Sequence, residues 1–163
     1  MVDIYIYKCL IGNLVLRADN KGLFAIEIAS EEDNLDSSLF TSLSKNEHIN
    51  AAINWLNLYF IGTTPDIDVT LNLNATPFQK EVWEITRSIP FGATTTYGDI
   101  ARLIAKNRGI KSMSAQAVGT ALGSNPLLIM IPCHRVIGAD QSLKGYRAGT
   151  KIKQLLLDYE KEF

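Results

Sequence analysis

Cys133 and His134 stand side by side in the run Ile131-Pro132-Cys133-His134-Arg135-Val136-Ile137-Gly138, at the end of the apolar segment Leu127 to Ile131. A thiol in apolar surroundings is ordinarily an inert small hydrophobe, because burial disfavours the thiolate and raises a pKa that starts at about 8.5. An imidazole and a guanidinium at the next two positions push the other way. With a carboxylate to orient His134, the set becomes an activated nucleophile of the sort used in covalent chemistry, and Glu160 is the candidate carboxylate. On spacing alone, a solvated acid in a frayed last helical turn is the simpler reading of Glu160.

The rest of the composition narrows the classes. The chain has two cysteines, Cys9 and Cys133, and two histidines, His48 and His134. None of them falls in a run with zinc-ligand spacing, so no metal and no cofactor is expected. The two cysteines are far apart and in different contexts, which argues against a disulfide framework and for a reducing cytoplasm. The N-terminus, Met1-Val2-Asp3-Ile4-Tyr5, reads as neither a leader nor a span, so a cytoplasmic protein with no membrane partner is expected. The net charge of −1 over 163 residues decides nothing about nucleic acid, but its distribution does bear on it. Residues 1–76 carry four Lys/Arg against ten Asp/Glu, and residues 77–163 carry twelve against seven. A polyanion would be steered to the second half; chance asymmetry plus the acidic stretch Glu31 to Asp36 is the plainer account.

The elements that must position Cys133 follow from periodicity. Residues 3 to 9, Leu14 to Arg17 and Leu23 to Ile28 are β-favouring, with the turn Asp19-Asn20-Lys21-Gly22 between the last two. Glu31 to Ser44 is acidic and aperiodic, and is expected to be a loop. From Asn46 to Ile61 the residues Ile49, Ala52, Ile53, Trp55, Leu56, Tyr59 and Phe60 recur at helical spacing, giving a helix to cover the sheet, and Gly62 ends it. Asp66 to Leu73 alternates as a half-buried strand would. The boundary falls at Asn74-Ala75, dividing the chain into an N-terminal α/β domain (1–74) and a mainly helical C-terminal domain (75–163).

In the second half, Thr76-Pro77-Phe78-Gln79 combines an N-cap, a proline at the first helical position and a glutamine three residues after the cap. That helix should end near Arg87, before Pro90. Thr95 or Thr96 caps a second helix carrying Tyr97, Ile100, Ala101, Ile104 and Ala105, which Asn107-Arg108-Gly109 closes. A third spans Ser114 to Leu122. The last two form a helix-turn-helix with a connection, Asn107 to Met113, longer than usual. Ser114, Ala115, Ala117, Gly119, Thr120, Ala121 and Gly123 give this third helix little bulk, which suits either tight packing on neighbours or close approach to a nucleic-acid groove. A final helix, Thr150 to about Glu160, carries the stripe Ile152, Leu155, Leu156 and Tyr159. The fold class is α+β: a small antiparallel sheet with a covering helix, then a helical domain with a helix-turn-helix.

Pro132-Cys133-His134-Arg135-Val136 resembles the active-site motif of the O6-alkylguanine-DNA alkyltransferases, direct-reversal DNA repair proteins. Asn125-Pro126, Gly145-Tyr146-Arg147, Gly149 through Lys153, Leu155, Leu156, Glu160, Phe91-Gly92, Tyr97 and Ala117-Val118-Gly119 also fall where that family has similar residues. The resemblance covers roughly residues 76 to 160. It implies a protein that binds duplex DNA carrying alkylated bases through a helix-turn-helix in the minor groove, and swings the damaged nucleotide out to the nucleophile. By the same resemblance, Glu160 holds His134, which draws the proton from Cys133 through a water. Tyr97 donates to the base, Tyr146 lines its pocket, and main-chain groups near Cys133 and Val136 read the guanine edge. Asn125 braces the turn after the recognition helix, and Arg135 is structural. Ser114, Ala115, Gln116, Ala117 and Gly119 face DNA, and the protein acts as a monomer without an obligate protein partner.

The resemblance further implies a thioether product, so that each molecule would repair one lesion, taking the alkyl group from O6-alkylguanine and less readily from O4-alkylthymine. One departure stands out: where the family usually has an arginine that fills the gap left by the rotated nucleotide, this chain aligns Gln116, which is shorter and uncharged. Two other readings are open. A cysteine hydrolase also uses Cys, His and Glu but turns over, and a lesion-sensing protein of the same fold would lack the thiol.

Overall fold

The Ile/Tyr-rich opening folds as three antiparallel strands in the order β1 (Asp3–Cys9), β2 (Gly12–Ala18), β3 (Leu23–Ile28). The register pairs Asp3 with Ala18 and Cys9 with Gly12 across the first hairpin, and Leu14 with Ile28 across the second. The Asp19-to-Gly22 turn closes as its composition predicts, the Asp19 carboxylate accepting from the amides of Lys21 (2.8 Å) and Gly22 (3.1 Å). The computed structural model describes residues 1–30, 44–143 and 145–163, so the acidic stretch from Glu31 lies outside the described residues up to Ser44.

Helix α1 (Glu47–Tyr59) starts where the Asn46 side chain accepts from the amides of His48 and Ile49. The same side chain donates to Asp3 (2.9 Å), fastening the helix start to the first strand. Its buried face is Ile49, Ala52, Ile53, Leu56 and Tyr59, and the helix packs on all three strands, whose core residues include Leu14, Leu16 and Ile26. The strand expected at Asp66 to Leu73 does not form. This segment makes only a bridge from Leu71 to Leu23, with Leu23 donating to Thr70 (2.9 Å) and accepting from Asn72 (2.9 Å). Its residues do alternate between exposed and half-buried from Asp66 to Leu71, but the segment meets the start of β3 and the turn before it, where the Asn72 side chain donates to Asp19 (2.8 Å), and does not run beside a strand edge.

Contacts divide the chain into two compact units, Met1–Asn74 and Ala75–Phe163. The second opens with α2 (Pro77–Arg87), whose capping box is complete: Gln79 N–H donates to Thr76 Oγ1 (3.1 Å) and Thr76 N–H to Gln79 Oε1 (2.9 Å). Helix α3 (Tyr97–Arg108) is capped by Thr96 and ends at Gly109, which takes the left-handed conformation (φ 65°) that a side chain would resist. The helix-turn-helix connection is therefore shorter than expected, because α3 runs on through Arg108. Helix α4 (Ala115–Gly123) has Ser114 as its N-cap, buries Val118, Ala121 and Leu122, and is held to α2 by the Trp83 indole N–H donating to Ala121 O (2.9 Å).

Two features depart from the expected elements. Thr95-Thr96 (β4) and Val136-Ile137 (β5) pair as a two-residue parallel ladder. In α5 (Thr150–Lys161) the buried residues are Lys153, Leu156, Leu157, Tyr159 and Glu160, whereas Leu155 is exposed. The expected stripe is thus rotated, since two of its true members are charged residues whose partners lie inside.

Candidate active site

The approach to Cys133 is a set of tight turns that no regular element would allow. Asn125 follows α4, and its side-chain oxygen accepts from Leu127 N–H (2.8 Å) while its Nδ2 donates to Ile131 O (2.9 Å), closing the loop between them. Within that loop Ile129 has φ 71°, a positive value that a β-branched residue rarely adopts, and it is 1% exposed. The amide of Met130 reaches back to Leu128 O (2.8 Å) around it, and that of Cys133 to Ile131 O (2.7 Å) around Pro132. The chain then makes one 3-10 turn, Cys133–Arg135, before β5.

That turn buries all three side chains. Cys133 Sγ accepts a hydrogen bond from Asn125 Nδ2 (3.0 Å) and makes a long contact as donor to Leu122 O (3.6 Å). Burial pushes its pKa up to about 12, against the lowering pull of the Asn125 donor and the Lys153 ammonium. In the closed site, then, sulfur is a thiol.

Glu160 comes from the end of α5 and is 2% exposed, not solvated. Its carboxylate hydrogen-bonds His134 Nε2, and accepts from Arg135 Nε (2.8 Å), Arg135 Nη2 (3.2 Å) and the amide of Gly92 (2.9 Å). Burial alone would raise its pKa, but these donors and the neighbouring charges outweigh it and hold the group at about 2. An ionised Glu160 accepts only, so Nε2 of His134 must carry the ring proton. Burial also lowers the His134 pKa, in spite of Glu160, so the ring is neutral at pH 7. Its other nitrogen, Nδ1, is buried and has no hydrogen-bond partner among the described residues. The outcome is a base with one lone pair uncommitted, adjacent in the chain to a protonated thiol.

Arg135 does more than the sequence reading gave it. Besides gripping Glu160 it donates to Ile89 O (2.8 Å) and lies over the Phe91 ring (5.7 Å), so one guanidinium joins the 3-10 turn, the end of α5 and the segment after α2. Lys153, which had no role assigned, is 1% exposed. It donates to Val136 O (2.5 Å), makes a long contact with Tyr97 Oη (3.4 Å), and lies 5.7 and 5.8 Å from the rings of Tyr97 and Tyr146. Burial draws its pKa down to about 8, and a Cys133 thiolate nearby would raise it again. The 153, 156, 157, 160 spacing on a helix was the signal that could have placed it on the buried face with Glu160.

Of the remaining residues singled out from the sequence, Tyr97, Tyr146 and Val136 meet Lys153 or His134 in this core. Tyr97 begins α3, half-buried, its ring packed where Gly119 has no side chain. Tyr146 is 8% exposed, edge-on to His134 (6.5 Å), and its hydroxyl has no partner among the described residues. Burial raises both phenol pKa values, so both hydroxyls are protonated donors. Val136 is buried with its carbonyl turned to Lys153. On α4, Ala115 and Gln116 are exposed, Ala117 and Gly119 half-buried, and the Ser114 hydroxyl is occupied in capping Ala117 N–H (3.1 Å). Among the described residues no cluster could hold a metal, and no helix is long and apolar enough to cross a membrane.

The family described as 6-O-methylguanine DNA methyltransferase matches twice, its DNA binding domain over residues 77–162 and its ribonuclease-like domain over residues 4–73. A Methanosarcina acetivorans protein named methylated-DNA--protein-cysteine methyltransferase is 36% identical over 95% of this chain and 96% of its own length. A Mycobacterium bovis protein of the same name is 46% identical over 68% of this chain and 64% of its own. The crystal structure of Mycobacterium tuberculosis OGT in complex with DNA superposes with a TM-score of 0.76 at 35% identity, covering 98% of this chain and 92% of that one.

Proposed function

The chain belongs to the 6-O-methylguanine DNA methyltransferase family, and from that premise we propose that it repairs alkylated duplex DNA by single-use transfer of the alkyl group to Cys133. The observation that carries this reading is the buried set in which His134, the residue after the thiol, gives one nitrogen to Glu160 and keeps the other uncommitted. With a pKa near 12 the sulfur is almost wholly protonated at pH 7, so deprotonation must accompany attack. His134 Nδ1 takes the thiol proton through a water, and Glu160 stabilises the imidazolium that results. Lys153 adds a positive charge on the side of the developing thiolate.

The sulfur–carbon bond forms as the carbon–O6 bond breaks, and the departing electron pair stays with the guanine. Tyr97, a protonated phenol, donates to the ring nitrogen on which that charge collects. Tyr146 forms a wall of the base pocket, and the Cys133 and Val136 main chain meets the guanine edge. A base stacked in duplex DNA cannot reach a sulfur that is 5% exposed, so the nucleotide rotates out while α4 lies in the minor groove. The side-chain-poor face around Ala115, Ala117 and Gly119 lets that helix approach closely, and Gln116 takes the gap left in the stack. A thioether is not reversed by thiol exchange, which ends the protein's activity after one event. O4-alkylthymine is the slower substrate, and the protein acts as a monomer.

Intact mass after incubation with a duplex holding one O6-methylguanine tests the proposal. The expected result is one methyl-sized gain per chain, located at Cys133, with Cys133→Ala unable to accept it yet still binding duplex. Repeated product release from an ester or amide substrate would instead identify a thiol hydrolase.

A further inference from the structure

Helix α3 and its connection to α4 enclose a groove of about 430 Å³. Its lining includes Arg102, Lys106 and Lys111, with Ala101, Ala105 and Met113 giving it a small apolar surface. The groove exists because of how the connection leaves the helix. Gly109 turns the backbone in the left-handed conformation and the amide of Ile110 donates back to Ala105 O (3.0 Å), so Ile110 to Met113 returns alongside the end of α3.

The charges there are unevenly committed. Arg108, the other cation at the end of α3, is taken by Glu81 of α2 (2.7 Å), and Arg102 is paired with Asp99 one turn back. Lys106 and Lys111 are exposed and have no carboxylate partner among the described residues. Two uncommitted ammonium groups over a small, apolar surface match a ligand that alternates phosphate with an apolar ring, which is the backbone of a DNA strand. The groove is also continuous with α4, since Ala115, the first residue of that helix, lines it too and Gln116 follows.

We propose that this groove is a backbone-phosphate site, in which Lys106 and Lys111 neutralise successive phosphates of the strand passing the start of α4. It rests on the DNA-repair reading above and adds to it: the affinity that an uncharged Gln116 does not supply comes from the helix-turn-helix connection. Both contacts are sequence-independent, so the groove sets affinity and register without choosing bases.

The test is the salt dependence of binding of the full chain to an unmodified duplex by fluorescence anisotropy. Each phosphate contact contributes a slope of about −0.9 in log K against log[salt], so Lys106→Gln with Lys111→Gln should make the slope shallower by about 1.8 and weaken binding at 0.1 M salt roughly 60-fold. A control pair with the same charge change, Lys8→Gln with Lys45→Gln, should leave the slope unchanged. Transfer from a free O6-alkylguanine base, which has no phosphates, should proceed at the parent rate in the groove variant. An unchanged slope in the groove variant, or an equal fall in both double variants, overturns the phosphate site while the repair reading stands. No duplex binding by the parent chain overturns both.

Discussion

Replacing Glu160 by glutamine keeps its shape and removes the charge on which the site is organised. The carboxylate is 2% exposed and accepts from His134, from two nitrogens of Arg135 and from Gly92 N–H. An amide offers one acceptor oxygen and turns an NH2 toward donors, leaving a guanidinium that is itself buried without its counter-charge. Breaking a buried pair in this way costs about 3–5 kcal/mol. A second route gives a similar figure. The Glu160 pKa falls from 4.5 to about 2 on folding, and that difference is worth about 3 kcal/mol at pH 7. Because the folded-state value is the lower one, this stability is full above the unfolded pKa and is lost as pH falls through 2. At pH 3 about 1 kcal/mol of it should remain. Urea unfolding of the parent and Glu160→Gln at pH 7 and pH 3 measures the gap at each pH, and contributions from other carboxylates cancel in the comparison. The gap should be about 3 kcal/mol at pH 7 and shrink by about 2 at pH 3. A loss below about 1 kcal/mol at pH 7, or a gap independent of pH, would refute the claim that an ionised Glu160 holds the site together.

Other outcomes follow from the same geometry. The folded-state pKa of Cys133, about 12, lies above the unfolded value, so the stability of the protonated thiol is full below about 8.5 and lost as pH rises through 12. In a Cys9→Ser background, iodoacetamide should therefore label Cys133 roughly a thousandfold more slowly at pH 8 than an exposed thiol, and a labelling midpoint near the unfolded value would contradict the burial argument. Tyr97→Phe should slow alkyl transfer about a hundredfold, with little change in urea stability, since only the hydroxyl is removed from a half-buried ring; single-turnover quench experiments read it. Gln116→Arg should tighten duplex binding or speed transfer, and unchanged values in both assays would count against Gln116 as the residue that fills the stack.

How far the sequence reached depended on whether a structure was local. Caps, turns and strand alternation are set by residues a few positions apart, and Asn46, Thr76, Thr96 and Ser114 each cap the helix they precede. Asp66 to Leu73 failed because alternation reports a half-buried chain, not a paired one, and pairing needs a partner edge that the segment's own residues do not describe. Cys133 and His134 were legible as chemistry because they are adjacent. Their support was not: Asn125 reaching the sulfur, Arg135 and Gly92 converging on Glu160, and Lys153 buried against Tyr97 depend on backbone folded over intervals of eight to sixty-eight residues. The simpler reading left Glu160 in solvent and gave Lys153 no role, since charged side chains are rarely buried without partners, and the partners lie on other elements.

Glu160 lies near the end of the last helix, yet it is tied to Gly92, His134 and Arg135. A ribosome emits these groups in order, so a nascent chain has its thiol, imidazole and guanidinium in hand before the anion that arranges them. Until α5 docks, Arg135 has no reason to leave water and His134 no fixed tautomer, and the reactive sulfur stays ordinary. Competence for transfer thus arrives in one step when α5 docks, and the same step shelters the sulfur, which in a half-made copy is an ordinary thiol more open to a stray electrophile.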